Sequence, residues 1–391
     1  MRIDLSPDQQ KFSSQVREYF GKIMTPEFRS EMKGSEGGGP LYWEALRRMG
    51  EDGWLAAAWP KEYGGRGLTA IENYIFADEA QAAGFPFPFL TMNTVGPTLR
   101  DFGSEEVRKE FLPRVLRGEI NFAIGYSEPG AGTDLASLTT RAVRDGDEWV
   151  INGQKIWTSL ANYCQYVWLA ARTDPESRKH RGISIFMVPT DDPGFSISPI
   201  QTMGGVRTNA TFYEDVRVPA SWLVGEEGQG WSLITNQLNH ERVSLNSAGP
   251  CRKLVDDVRD WARETRRADG SRVIDQEWVQ MSLARARAQV EVLRIMNWRI
   301  AWGSQNGRLH PSAASSVKVF GSEAFVEIYQ SLMEVVGTEA SLRAGSAGEV
   351  LQSRLDSSYK NALILTFGGG TNEVQRDIIA MAGLGMPHYK S

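Results

Sequence analysis

The chain has 391 residues, 41% of them hydrophobic and 23% charged, with a formal net charge of −5. This is globular composition at a length that calls for two or three packed subdomains, and the mild acidity provides no field for nucleic acid or an anionic membrane. Two lone cysteines (Cys164, Cys251) and four scattered histidines (His180, His240, His310, His388) argue against a disulfide framework and against a zinc site.

At the start of the chain, Met1 to Ser6 carry no apolar run, and no stretch of about 18 apolar residues follows anywhere. The chain therefore reads as soluble and cytoplasmic. Residues 1–120 read as a helical domain. Ser6, Pro7 and Gln9 have the form of a capping box with proline in the first turn, and Phe12, Val16, Phe20 and Ile23 follow at helical spacing. A second helix is expected from Leu41 through Met49. The run Trp59 to Gly67 then interrupts with glycines suited to positive φ, and residues 34–39 form a glycine-rich loop.

Residues 121–228 change period and read as a β-domain. Asp145-Gly146 and Asn152-Gly153 both suit tight hairpin turns, which predicts consecutive hairpins from Arg141 to Trp157. Strand-like runs follow at Tyr166–Ala171, Ile183–Val188, Phe195–Ile200 and around Phe212–Val218. With no helix between them, they suit an antiparallel sheet or small barrel. Residues 229–391 return to long helices, marked by Leu254, Val258 and Trp261, by Leu283 through Ile300, and by Val319 through Val336. Their lengths suit an antiparallel bundle. Arg263, Arg266, Arg267 and Arg272, interleaved with Glu264 and Asp269, read as a solvated helix end. The fold class is mainly α with a central antiparallel β-domain.

Four segments carry a resemblance in the right order: Tyr126 to Asp134, Asn152 to Ser159, Glu214 to Pro219 with the glycines after it, and Phe367 to Asp377. Over essentially its whole length the chain resembles the acyl-CoA dehydrogenase family. That resemblance implies an α-domain, a small β-domain and a four-helix C-terminal domain, with FAD as cofactor and an acyl-CoA thioester as substrate. A reduced flavin gathers negative charge at its N1/O2 and N5 edges, so hydrogen-bond donors are needed there. By the resemblance, Ser127 and its neighbouring amides serve the first edge and Ser159 serves N5. Trp157 lies on the ring face away from substrate, and Thr133 lies near the CoA sulfur and pyrophosphate. The implied cofactor contacts are Tyr126, Ser127, Thr133, Trp157, Thr158, Ser159, Thr371 and Glu373. The implied substrate contacts are Thr133, Asn239, Arg242 and Gly369.

Desaturation also needs a base for a weakly acidic α-proton. Most of the family carries it in a Glu-Gly-Thr sequence near the C-terminus, where this chain has Gly369-Gly370-Thr371. A minority, resembling isovaleryl-CoA and long-chain dehydrogenases, carries it after the β-domain. Glu241 falls on that position and is the implied base. Gly369 retains an N–H for the thioester carbonyl and leaves room for a branched or bulky acyl group.

Two motifs that homomeric relatives use to grip a neighbour's FAD are altered. Arg-x-Thr-Phe-Gly is replaced by Arg263-Glu264-Thr265-Arg266-Arg267, and Gln-x-x-Gly-Gly by Glu334-Val335-Val336-Gly337-Thr338. A carboxylate facing a pyrophosphate is a like-charge contact. The chain therefore resembles the base-bearing subunit of actinobacterial α2β2 dehydrogenases of steroid side chains. That implies a second dehydrogenase-like subunit as partner and electron-transferring flavoprotein as electron acceptor. Three alternatives stay open: a homotetramer acting on branched fatty acyl-CoA, a non-catalytic structural subunit, and a flavin monooxygenase on the same fold.

Overall fold

The computed structural model describes residues 4–177, 179–235, 237, 247–310 and 312–387. The chain folds into two compact units that interleave in sequence: residues 1–24, 69–87 and 242–391 in one, residues 25–68 and 88–241 in the other.

The first unit is helical among its described residues. Helix α1 (Pro7–Ile23) starts on the expected capping box, in which the Ser6 hydroxyl accepts from the Gln9 N–H and the Gln9 side chain accepts from the Ser6 N–H. Helix α4 (Ala70–Ala83) packs against α1, α7 (Gly249–Glu264) and α8 (Glu277–Gln305). Contacts on several sides explain why every residue from Tyr74 to Ala80 is buried, including two acids. Each acid is satisfied. Glu79 accepts from Ser13 and Arg17 of α1 at 2.7 Å each, while Asp78 accepts from Ser247 at 2.6 Å and from Arg252 of α7 at 2.9 Å. Helices α9 (Ala313–Val336), α10 (Arg354–Ala362) and α11 (Asn372–Ile378) complete the bundle. Leu254, Val258, Leu283, Val290, Ile328 and Leu332 belong to its core.

The second unit holds helices α2 (Pro26–Glu31), α3 (Pro40–Glu51), α5 (Gly96–Phe102) and α6 (Glu105–Leu116) with an eight-stranded sheet. The strands are β1 (Phe122–Gly125), β2 (Arg141–Asp145), β3 (Glu148–Lys155), β4 (Tyr166–Arg172), β5 (Ile183–Pro189), β6 (Phe195–Gln201), β7 (Arg207–Pro219) and β8 (Leu223–Val224). Their order is β6-β7-β3-β2-β4-β5-β8, with β1 beside β4. Most pairs are antiparallel, while β1 and β2 meet β4 in parallel.

The Asp145-Gly146 turn forms as expected, with Gly146 at φ +61°. Asn152-Gly153 does not turn. Strand β3 runs straight through it, and the register against β7 shifts between Ile151 and Gly153 instead. Asn152 exchanges two hydrogen bonds with Asp215, which sits at φ +51°, so the extra residue is absorbed as a bulge.

Candidate active site

In the second unit, residues following β1 and β3 lie side by side. The Ile156 N–H donates to the Ser127 carbonyl at 2.9 Å, joining the two segments. Beneath this contact lies a buried ion pair. Lys155 has no solvent exposure and donates to Glu128 Oε1 at 2.8 Å and to the Tyr126 carbonyl at 3.1 Å. Glu128 also accepts from the Thr139 N–H (2.7 Å), the Thr139 hydroxyl (2.8 Å) and the Thr140 N–H (2.8 Å). Burial pushes the Glu128 carboxyl upward, but the Lys155 ammonium and the threonine donors outweigh it and hold it near 2. Burial likewise pulls the Lys155 ammonium down, with Glu128 opposing.

The expected cofactor residues divide by surroundings. Tyr126 turns inward, where its hydroxyl accepts from Trp168 Nε1 at 3.1 Å and donates to Gln237 Oε1. Ser127 is half-buried, and its hydroxyl has no hydrogen-bond partner among the described residues. Thr133 is exposed on the loop.

Trp157 is 59% exposed and sits at φ +63°. A bulky residue in the left-handed region is strained, and the surrounding structure must hold it there. Asn209 on β7 supplies part of that hold. Its carbonyl accepts from the Thr158 N–H at 2.9 Å, and its side chain donates to the Thr158 carbonyl at 3.1 Å. Thr158 itself is buried, with its hydroxyl 3.3 Å from that of Thr211. Ser159 donates its hydroxyl to Thr208 at 3.2 Å and its N–H to the Trp157 carbonyl at 3.0 Å.

Gly369, Thr371 and Glu373 belong to the first unit. Gly369 sits at φ +67°, a conformation that disfavours any side chain. Thr371 is the N-cap of α11 and accepts from the Val374 N–H at 3.3 Å. Hydrogen bonds from its own backbone and from Thr371 hold the exposed Glu373 carboxylate below the usual range. Behind this turn, buried Lys318 donates to Asn372 Oδ1 at 2.7 Å. Glu241, with Asn239 and Arg242, lies outside the described residues.

The two altered motifs take definite forms. After α7 the chain closes a small hairpin, in which Arg267 N–H donates to the Ser271 carbonyl at 2.8 Å. The arginines of the altered stretch are engaged nearby: Arg263, in the last turn of α7, with Asp260, Arg266 with the Gly270 carbonyl, Arg267 with Asp269, and Arg272 with Asp275. Glu334 is exposed in the last turn of α9.

Three domain models match the chain in order: the acyl-CoA dehydrogenase N-terminal domain over residues 6–119, its middle domain over 123–216 and its C-terminal domain over 228–384. The chain belongs to the acyl-CoA dehydrogenase family. It is 54% identical to acyl-CoA dehydrogenase FadE26 of Mycobacterium tuberculosis (strain ATCC 25618 / H37Rv), across 99% of each chain. A chain of the ChsE4-ChsE5 complex from Mycobacterium tuberculosis is 53% identical, with a TM-score of 0.93 over 100% of both chains. A chain of the Tcur3481-Tcur3483 steroid ACAD is 48% identical, with a TM-score of 0.94 over 100% of both. As an acyl-CoA dehydrogenase the protein is an oxidoreductase acting on acyl-CoA, and its cofactor is FAD.

The residues present fit a flavin ring. The exposed indole of Trp157 offers a flat apolar face, the Ser127 hydroxyl, without a partner among the described residues, offers a donor, and both rest on a buried hydrogen-bond network. Lys155, Glu128 and Asn209 escaped the reading of the sequence as site residues. Lys155 alone left a signal there, since it shares the inward parity of Trp149 and Ile151 on β3 and so requires a buried carboxylate. Among the described residues, no helix is long and apolar enough to cross a membrane, and no group of three or more His, Cys, Asp or Glu could hold a metal.

Proposed function

We propose that this chain is the base-bearing subunit of a cytoplasmic α2β2 dehydrogenase that introduces an α,β double bond into the CoA thioester of a steroid side chain. The observation that carries the reading is whole-chain similarity, at 48–53% identity, to chains of the ChsE4-ChsE5 complex and the Tcur3481-Tcur3483 steroid ACAD. Two features of this chain support it. The residues expected to grip a neighbour's FAD are altered, with the arginines after α7 engaged in local contacts and Glu334 where a neutral side chain is expected. In addition, α8 exposes Trp278, Met281, Val292, Ile295 and Trp302, all on the a and d positions of a heptad, a face suited to burial in an assembly.

In this reading Glu241 removes the α-proton, and the Gly369 N–H donates to the thioester carbonyl as negative charge gathers there. FAD, when bound, supplies the two-electron acceptor, which electron-transferring flavoprotein then reoxidises. Ser127 serves its N1/O2 edge, and Ser159 serves N5 by turning its hydroxyl from Thr208. Thr133, Asn239 and Arg242 contact the substrate, and Thr371 and Glu373 contact the cofactor. Removing the base costs about 10²–10⁴-fold in rate.

The test is anaerobic bleaching of the flavin in the FAD-loaded complex. A 3-oxo-steroid side-chain CoA thioester should bleach it with a higher kcat/KM than straight-chain or branched fatty acyl-CoA, and Glu241→Gln should slow bleaching by about 10²–10⁴-fold. Preference for a fatty acyl-CoA contradicts the substrate class. Undiminished bleaching by Glu241→Gln contradicts the base.

A further inference from the structure

Strand β3 alternates inward and outward side chains, and its inward series of Trp149 and Ile151 ends on Lys155. A fully buried cation is costly unless it is paired and hydrogen-bonded. Its partners stand on either side of one residue: the Tyr126 carbonyl before Ser127 and the Glu128 carboxylate after it. The next residue of the strand segment, Ile156, takes the Ser127 carbonyl itself. Three consecutive loop residues are thus tied down at the Tyr126 carbonyl, the Ser127 carbonyl and the Glu128 carboxylate, while the Ser127 hydroxyl has no partner among the described residues.

We infer that Lys155 is a positioning residue for Ser127: by bracketing that serine it holds the hydroxyl in place for the cofactor edge where negative charge gathers. The inference rests on the assignment of Ser127 to the flavin. Glu128 neutralises the ammonium, so the contribution is geometric rather than a net field at the ring. A donor acts most strongly when it is fixed before charge develops, because no reorganisation is then needed.

The test uses the FAD-loaded complex and reads the flavin's visible spectrum and reduction potential, kcat, KM and thermal stability. Lys155→Met alone strands a buried carboxylate and endangers folding, so the informative variant is Lys155→Met/Glu128→Gln, which removes both charges. Ser127→Ala is expected to lower the potential and reduce kcat by roughly 10–100-fold with little change in KM. The Lys155→Met/Glu128→Gln pair should shift the same two readouts. Combined with Ser127→Ala, it should add less than about threefold, because both changes remove one interaction. Thr139→Val loosens Glu128 by one hydrogen bond without touching the charges, and should shift the potential the same way by less.

If the pair substitution lowers thermal stability while potential and kcat stay at wild type, Lys155 is merely structural. If its effect multiplies fully with that of Ser127→Ala, it does not act through Ser127. If Ser127→Ala itself leaves spectrum and potential unchanged, the assignment of Ser127 to the flavin has failed, and the inference falls with it.

Discussion

Asn209→Ala isolates the clamp behind Trp157. The Asn209 side chain is fully buried and makes three hydrogen bonds: it donates to the Thr158 carbonyl and to Asn162 Oδ1, each at 3.1 Å, and accepts from Arg207 Nε at 3.2 Å. Asn162 and Arg207 are only half-buried and can be rehydrated, so losing those two bonds costs about 0.5 kcal/mol each, the low end for a hydrogen bond. Thr158 is fully buried, so its carbonyl loses its shorter donor where water has poor access and keeps only the Ala161 N–H at 3.4 Å, a loss of about 1–3 kcal/mol. The sum, about 2–4 kcal/mol, corresponds to a fall of roughly 2–5 °C in the unfolding midpoint of a chain of 391 residues. Thr158 joins Trp157 to Ser159, so FAD affinity should fall as well, by about tenfold for each 1.4 kcal/mol transmitted. Thermal unfolding followed by circular dichroism, with FAD affinity from flavin absorbance, measures both. Asn162→Ala, which removes only the rim bond, is the control and should cost under about 1 kcal/mol. If Asn209→Ala is no more destabilised than this control, the Thr158 carbonyl is not held as described.

The Glu128 carboxyl lies near 2 in the folded chain against an ordinary 4.5, so its stabilisation is complete above pH 4.5 and is lost as pH falls toward 2. Unfolding midpoints between pH 5 and 3 should therefore fall more steeply in wild type than in Lys155→Met/Glu128→Gln, and equal slopes contradict the pairing. Arg252→Met leaves Asp78 buried without its cation and should cost about 3 kcal/mol in a denaturant titration. Asp78→Asn, which leaves Arg252 half-buried and still beside Glu79, should cost clearly less, and the reverse order contradicts a charge-pairing role. Thr371→Ala removes the cap of α11 and should cost about 1 kcal/mol, recovered by Thr371→Ser. No loss in the alanine variant means that the cap contributes nothing.

Much of the fold was legible because its signals are local. Ser6 and Gln9 announce a helix start whatever lies around them, and Asp145-Gly146 turns because both flanking strands are short enough to meet. Asn152-Gly153 carries the same turn signal but lies in a strand whose partner β7 is about 60 residues away in sequence, and pairing with Asp215 turns it into a bulge. The parallel seat of β1 beside β4, and the grouping of residues 69–87 with the C-terminal helices, are likewise long-range facts that no local period records. In the site, motif residues such as Ser127 and Trp157 were visible through family resemblance. Glu128 and Asn209 were not, since each acts by a side chain that reaches another strand or loop and resembles a surface polar residue in isolation.

The shared-site reading makes a direct claim about stoichiometry: this chain alone lacks the residues that complete an FAD site. Purified by itself, it should hold little FAD by flavin absorbance, and co-expression with a second dehydrogenase-like subunit should restore about one FAD per pair of chains. Close to one FAD per chain in the isolated protein would contradict the heteromeric assembly, favour a homotetramer, and move the substrate search to branched fatty acyl-CoA.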